Sequence, residues 1–116
     1  MNKQRTDKPW GYEILWAKTK DYAAKLIHIN AGESLSTQYH IEKEETMYVL
    51  SGIMYMRCGP AEDWYFLHPG EVMHVPPTKI HTMEALEDSD VELIEVSTPQ
   101  LDDIVRLEDR YGRETE

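Results

Sequence analysis

The stretch Gly32–Gly52, GESLSTQYHIEKEETMYVLSG, decides how the chain is read. It carries Gln38, His40 and Glu45: two side chains two residues apart, then a carboxylate five residues on. Alternate residues of a strand point to the same face. A strand over Ser34–Tyr39 that continues into His40 therefore turns Gln38 and His40 into one space. Glu45 returns towards them at the start of the next strand, Thr46–Ser51. An amide oxygen, an imidazole and a carboxylate converging inside a β-fold form a candidate divalent-metal site. His81 is placed to close the set as a fourth ligand.

Outward from this stretch the chain reads as a succession of short strands. Two precede it, Tyr12–Ala17 and Tyr22–Asn30. Six follow: Thr46–Ser51, Ile53–Cys58, Trp64–Leu67, Val72–Val75, Thr82–Leu86 and Val91–Ser97. Ser51-Gly52, Cys58-Gly59-Pro60, His68-Pro69-Gly70 and Pro76-Pro77 punctuate them. Many short strands with Gly/Pro turns predict an all-β sandwich or barrel rather than βαβ units. Residues 1–9 read as a flexible N-terminus, 10–98 as the barrel and 99–116 as a C-terminal helix or tail. The helix expectation rests on Leu101, Ile104 and Val105, apolar at i, i+3 and i+4 after Pro99.

With 116 residues the chain is long enough for one domain with a real core. It has no apolar run of the roughly 18–20 residues needed to cross a bilayer and no secretory h-region. One cysteine, Cys58, excludes an intramolecular disulfide, and the default compartment is the cytoplasm. The net charge of −10 argues against nucleic-acid and anionic-membrane binding. An anionic substrate would need a local positive patch within that repulsive field.

In order, the site candidates are Gly32, Gln38, His40, Glu45 and Gly52, then Gly70, Pro76 and His81 after a 17-residue gap. Two hairpins delivering Gln38, His40, Glu45 and His81 to a shared interior suit Zn, Mn, Fe, Co or Ni. On spacing alone Gln38 is the weakest ligand, because Gln is a rare one. His28 and His74 are lesser candidates to line the cavity, and His68 stands in a turn. Trp10, Trp16, Trp64, Tyr55 and Phe66 read as core or interface, and Tyr39 as a pocket wall.

These residues resemble the cupin superfamily of jelly-roll barrels. The first cupin motif is similar to Gly32-x5-Gln38-x-His40-x4-Glu45-x6-Gly52. The second is similar to Gly70-x5-Pro76-x-Thr78-x2-His81, with Thr78 where Gly is usual and Ala85 where Asn is usual. Gln38 in place of the first His resembles the mannose-6-phosphate isomerase branch. Lys8-Pro-Trp-Gly11 and the tail Asp102–Arg113, DDIVRLEDRYGR, resemble the cupin domain of the guanylyltransferase-linked, type II isomerases. Where those enzymes have an Arg-x-Glu-His-Trp run, this chain has Lys43-Glu44-Glu45-Thr46-Met47.

The resemblance implies a metal-dependent aldose–ketose isomerase of a sugar phosphate, with one divalent ion held by Gln38, His40, Glu45 and His81. Lys43, Glu44 or a metal-activated hydroxide is then the candidate base. Arg106, Arg110 and Arg113 are candidates to grip a phosphate, or else pair with Glu108 and Asp109 on a solvated tail. A mononuclear iron dioxygenase and a non-catalytic sugar- or metal-binding module are the alternatives. Exposed sheet edges and faces predict a homodimer.

Overall fold

A computed structural model describes residues 3–59 and 63–114. Its eleven strands are β1 (Gln4–Lys8), β2 (Gly11–Lys18), β3 (Ala23–Ile29), β4 (Thr37–Tyr39), β5 (Glu45–Ser51), β6 (Met54–Cys58), β7 (Trp64–Leu67), β8 (Val72–Val75), β9 (His81–Ala85), β10 (Val91–Ser97) and β11 (Val105–Glu108). They form two antiparallel sheets, ordered β1-β2-β3-β10-β5-β8 and β11-β4-β9-β6-β7. The expected all-β jelly roll is what the chain adopts. Among the described residues there is no helix, so none is long and apolar enough to cross a membrane.

The core lies between the sheets and follows strict strand alternation. Ile27, Ile29, Met47, Val49, Val75 and Leu93 face it from the six-stranded sheet, and Met54, Met56, Met83 and Ala85 from the other. Four unbranched methionines fill the irregular space where two curved sheets meet. Of the aromatics expected in the core or an interface, Trp10 is buried, whereas Trp16, Trp64 and Phe66 are exposed. Gly52 turns β5 into β6 with φ +77°, and a Cβ there would stand 2.2 Å from the Asp90 carbonyl oxygen. Only glycine meets both demands.

Two expectations are corrected. Gln4–Lys8, read as part of a flexible terminus, is a strand that pairs with β2 from Gln4↔Leu15 to Lys8↔Gly11. Its polar residues alternate usefully: Arg5 stacks over the Tyr12 ring at 3.9 Å, while Gln4, Thr6 and Lys8 take the other face. The tail also joins a sheet instead of forming a helix. Val105 and Arg106 pair with Tyr39 and Gln38, and a bulge precedes Glu108↔Thr37. The open edge of β4 offers unpaired backbone groups, and Ile104-Val105 is β-branched, so ladder formation wins over a short isolated helix. Both terminal segments thus belong to the sheets. Residues 1–2 and 115–116 of those segments, and Pro60, lie outside the described residues.

On the outer face His28, once a candidate for the cavity, stacks on Tyr12 with ring planes 5° apart. Its ring nitrogens meet Glu92 and Asp90, each at 2.9 Å. Burial alone would push the imidazole pKa down, but the two carboxylates outweigh it and the net shift is upward. This ion pair stabilises the fold fully below the unfolded value of about 6.5 and is lost as pH rises through the folded value. Thermal melts should therefore show the gap between the native chain and His28→Gln narrowing from pH 5.5 to pH 8.5. A gap that widens over that range would contradict the ion-pair assignment.

Candidate functional site

Three backbone features bring the site together. Strand β4 turns Gln38 inward, where it is 7% exposed, and its register partner across the sheet is His81 at the start of β9. His40 follows β4 directly, and a short loop carries the chain to Glu45 at the start of β5. The Pro76-Pro77-Thr78 turn is closed by the Thr78 amide donating to the His40 carbonyl at 2.6 Å. Thr78 takes φ 68°, a left-handed conformation that costs a β-branched residue roughly 1–2 kcal/mol.

His40 and His81 both place Nε2 3.0 Å from Glu45 Oε1, with their rings 5.2 Å apart. Side-chain exposure is 3% for His40, 0% for His81 and 1% for Glu45. The Nδ1 positions are already committed: His40 to the Asp103 carbonyl at 2.5 Å, His81 to the Lys79 carbonyl at 2.9 Å. A carbonyl oxygen only accepts, so Nδ1 carries the hydrogen in both rings. In the neutral imidazoles each Nε2 then presents a lone pair to an ionised carboxylate. Three acceptors facing one another call for a cation between them. His81 Nε2 makes no hydrogen bond, and Glu45 Oε2 meets the Lys43 ammonium at 3.4 Å, an arrangement that fits a metal-ligand set. The candidate ligand atoms of His40, Glu45 and His81 lie within 4.8 Å of one another. Gln38 adds an amide oxygen beside them, oriented by the Ser36 hydroxyl, which donates to it at 2.6 Å.

Behind this cluster sits a buried charge network. Lys43 Nζ is 3.4 Å from both Glu45 Oε2 and Glu95 Oε2. Burial pulls the Lys43 pKa down, yet the Glu95 and Glu45 charges raise it overall, so the ammonium stays protonated. Burial likewise favours a neutral Glu45, but its Glu95, His40 and His81 neighbours and the Lys43 charge hold that carboxyl well below its usual range. Glu95 goes the other way. Burial and the neighbouring Glu45 charge push it well up.

A cavity of about 420 Å³ opens onto Gln38, His40, Lys43 and Glu95. Lys8, Lys25, Lys43, Arg106 and Arg113 line it, against the acids Glu13, Glu95 and Asp102. Several of these cations are ion-paired: Lys25 and Lys8 meet Glu13 at 3.0 and 3.9 Å, Lys43 meets Glu45 and Glu95, and Arg113 meets Asp109. Gln4 and Thr6 of β1 complete one wall.

The structure thus brings Gln38, His40, Glu45, His81 and Lys43 together, with Arg106 and Arg113 on the same cavity. Lys43 is an ion-pair partner of Glu45 and Glu95 there. Glu44 points elsewhere: it is exposed and meets His74 at 2.6 Å, which also takes His74 out of the cavity. Tyr39 alternates with Gln38 on β4 and so faces away from the cavity. Arg110 is exposed on the outside, bound to Glu84 at 2.5 Å and to the Gly32 carbonyl at 2.8 Å. Arg113 is forked onto Asp109 at 2.9 and 3.1 Å. Cys58 is buried and its thiol pKa is pushed up, as expected of a packing residue.

Sequence reasoning missed three contributors. Glu95 is one; its signal is an acid in the inward-facing register of Val91 and Leu93 on the Val91–Ser97 strand. The second is the cationic wall from Lys8 and Lys25. The third is Asp103. Its carboxylate accepts the amides of Ile41 at 2.9 Å, Glu42 at 2.6 Å and Lys43 at 2.9 Å, which hold its pKa down, while its carbonyl fixes His40. No local pattern announces a contact made across some sixty residues.

Comparison with known proteins agrees with this geometry. The family described as mannose-6-phosphate isomerase C-terminal matches residues 1–109. The chain is 32% identical over 112 residues to mannose-1-phosphate guanylyltransferase RfbM of Salmonella typhimurium, covering 94% of this chain and 23% of that protein. It is 34% identical over 110 residues to the mannose-1-phosphate guanylyltransferase of Escherichia coli, covering 91% and 22%. The chain therefore spans less than a quarter of these relatives. The capsular polysaccharide assembling protein CapF of Staphylococcus aureus superposes with a TM-score of 0.79 at 23% identity, over 93% of this chain and 35% of that one. A Klebsiella pneumoniae protein with a double-stranded β-helix domain gives 0.72 at 18% identity, over 82% of each chain. These two likenesses establish the fold, the double-stranded β-helix of the cupins.

Asp103 yields a direct test. In Asp103→Ala, amide exchange at Ile41, Glu42 and Lys43 should accelerate by about tenfold, the loss of hydrogen bonds to a charged acceptor. Exchange at Met47 and Val49 should hold, since neither amide bonds Asp103. Unchanged exchange at Ile41–Lys43 would show that Asp103 does not hold the loop.

Proposed function

We propose that this chain, which belongs to the mannose-6-phosphate isomerase C-terminal family, is a metal-dependent aldose–ketose isomerase acting on a sugar phosphate. The observation that carries the reading is the convergence of two imidazole Nε2 atoms on the buried Glu45 carboxylate at 3.0 Å, at the inner end of a cavity whose wall carries Lys8, Lys25 and Arg106. Gln38, His40, Glu45 and His81 would hold the ion. When bound, a divalent ion there supplies Lewis-acid polarisation of the sugar carbonyl and stabilises the negative charge that builds as the C2 proton leaves.

The chain's own residues do the remaining work. Arg106 is the register partner of Gln38 and lines the cavity, so its cation stands on the same wall as the ligand set. Lys8 and Lys25 lie on the opposite, β1–β3 side. Together they suit a phosphate whose sugar end reaches towards His40. Arg106 lines the cavity and Arg110 stands outside it, so Arg106 is the tail contact in this reading. Lys43 and Glu95 fix the charge state of Glu45 rather than contact the substrate.

One observation favours a second reading, a sugar-phosphate-binding module without turnover. Neither Lys43 nor Glu44 is placed as a free base.

The experiment is to strip the protein with chelator, reload Mn²⁺, Co²⁺, Zn²⁺, Ni²⁺ or Fe²⁺, and follow mannose-6-phosphate to fructose-6-phosphate. Turnover should return with at least one ion. Glu45→Gln should abolish both turnover and the rise in Tm that the ion gives, a rise worth about 2.7 kcal/mol at a hundredfold excess over Kd. Arg106→Met should keep the metal-induced Tm rise and raise KM by about tenfold. No turnover with any ion would sink the isomerase assignment, and saturable sugar-phosphate binding alongside that result would establish the binding module.

A further inference from the structure

We infer that the outer face of the five-stranded sheet carries a second binding site, centred on Trp64 and Arg57, for a neutral pyranose sugar. Strand alternation sets the face. Met54, Met56 and Cys58 of β6 go to the core, so Tyr55 and Arg57 turn outward. The register then sets Phe66 beside Tyr55, Trp64 beside Arg57, and Thr82 on the other side of Arg57. A cavity of about 400 Å³ opens there against Trp64, Arg57, Thr37, Thr82 and Glu84. That volume lies within the roughly 300–1,000 Å³ of small-molecule sites. Gln38 faces the first cavity and Thr37 this one, so the two lie on opposite faces of β4. The inference therefore stands apart from the proposed chemistry.

Two side chains here are held but under-used. The Trp64 ring rests on Tyr55 at 4.3 Å between centroids, and Tyr55 stacks in turn on Phe66 at 4.7 Å. Trp64 is still 38% exposed, so part of a fixed indole surface is open on the cavity wall. Arg57 offers five N–H donors. Its Nη2 donates to Thr37 Oγ1 at 3.1 Å, and its Nε is buried without a partner. The chain has 22 acidic residues to 12 Lys and Arg, yet among the described residues no carboxylate pairs with Arg57. A guanidinium left so poorly satisfied calls for a partner.

Charge and hydrogen bonding narrow that partner. Glu84, Glu108, Asp109 and Glu114 line the same cavity and repel an anion. A cation would meet Arg57, whose guanidinium already lies 5.4 Å from the Trp64 ring centre. What fits is an uncharged molecule with an apolar face for the indole and hydroxyls for the rim. A pyranose has both: its axial C–H bonds form an apolar face, and its hydroxyls donate and accept. The rim offers the complement. Thr37 Oγ1 accepts from Arg57 and has its hydrogen to give. Thr82 Oγ1 donates to the Leu35 carbonyl at 3.1 Å and can accept. Glu84 and Asp109 are held by Arg110 and Arg113, which leaves Glu108 as the carboxylate to accept from a sugar hydroxyl.

Proton–nitrogen NMR of the full chain tests this, with the methyl glycosides of glucose, mannose and galactose, and maltohexaose, as probes. The Trp64 indole N–H should shift saturably with at least one probe, with Kd on the order of 1 mM, while the Trp10 and Trp16 indoles hold. Tighter binding of maltohexaose than of methyl glucoside assigns the site to a glycan chain, and equal binding to a free sugar. Read at the Thr82 amide, Trp64→Ala and Arg57→Met should each weaken binding by about tenfold, and Trp64→Phe should restore it to within about threefold of native. Both weakened variants should keep the amide spectrum of the core strands. Glucuronic acid and glucosamine should bind about tenfold more weakly than methyl glucoside. Chelator should change none of these values. No saturable shift with any probe overturns the inference. So does binding that survives both Trp64→Ala and Arg57→Met, a charged sugar that binds more tightly than the neutral ones, or binding lost on chelation.

Discussion

Glu45 is the constraint on which the rest of this structure depends. Its carboxylate is withdrawn from water almost completely, and a buried charge costs several kcal/mol unless partners compensate it. The compensation comes from every side: Lys43 from the preceding loop, His40 beyond it, His81 from the opposite sheet and Glu95 from β10. Each must arrive at hydrogen-bond or ion-pair distance, so the His40–Lys43 loop, β5, β9 and β10 are held in mutual register by one side chain. The fixed Nδ1 hydrogens complete the logic. With the rings neutral they leave lone pairs at the centre, a donor set of the kind that could hold a metal ion.

The two chain ends, which look like appendages in the linear sequence, are parts of this arrangement. The tail delivers Asp103 to the loop between His40 and Glu45, satisfies three of its amides and orients the His40 ring. It then continues as β11 and brings Arg106 opposite Gln38. The first strand supplies Lys8, Gln4 and Thr6 to the cavity wall. Family membership covers residues 1–109, so both ends lie largely within the matched region.

Much of the fold was legible because β-structure writes itself locally. Alternation in Val91–Ser97 and Thr46–Ser51, with glycine and proline between strands, needs no knowledge of partners. The ligand set was legible for the same reason: Gln38 and His40 share a strand face, and two spaced motifs place Glu45 and His81 at strand starts. The misreadings have the opposite cause. Leu101, Ile104 and Val105 carry helical spacing, but the free edge of β4 outweighs a one-turn periodicity. Gln4–Lys8 has no apolar pattern at all and becomes a strand because β2 offers it a ladder. Glu44 lies next to a candidate ligand in sequence, yet it stands in the loop before β5 and meets His74 at the surface.

The sequence by itself determined the strand rhythm, the two-sheet class and the identity of the four candidate ligands. All of these follow from side-chain alternation and backbone permissiveness, which act over a few residues. Only the tertiary structure decided that Lys43 pairs with Glu45 and Glu95, that Asp103 supports His40, that Glu95 borders Glu45, and that Arg106 rather than Arg110 faces the cavity. Those outcomes depend on which distant groups share a low-dielectric space, where charge, proton position and pairing are settled jointly.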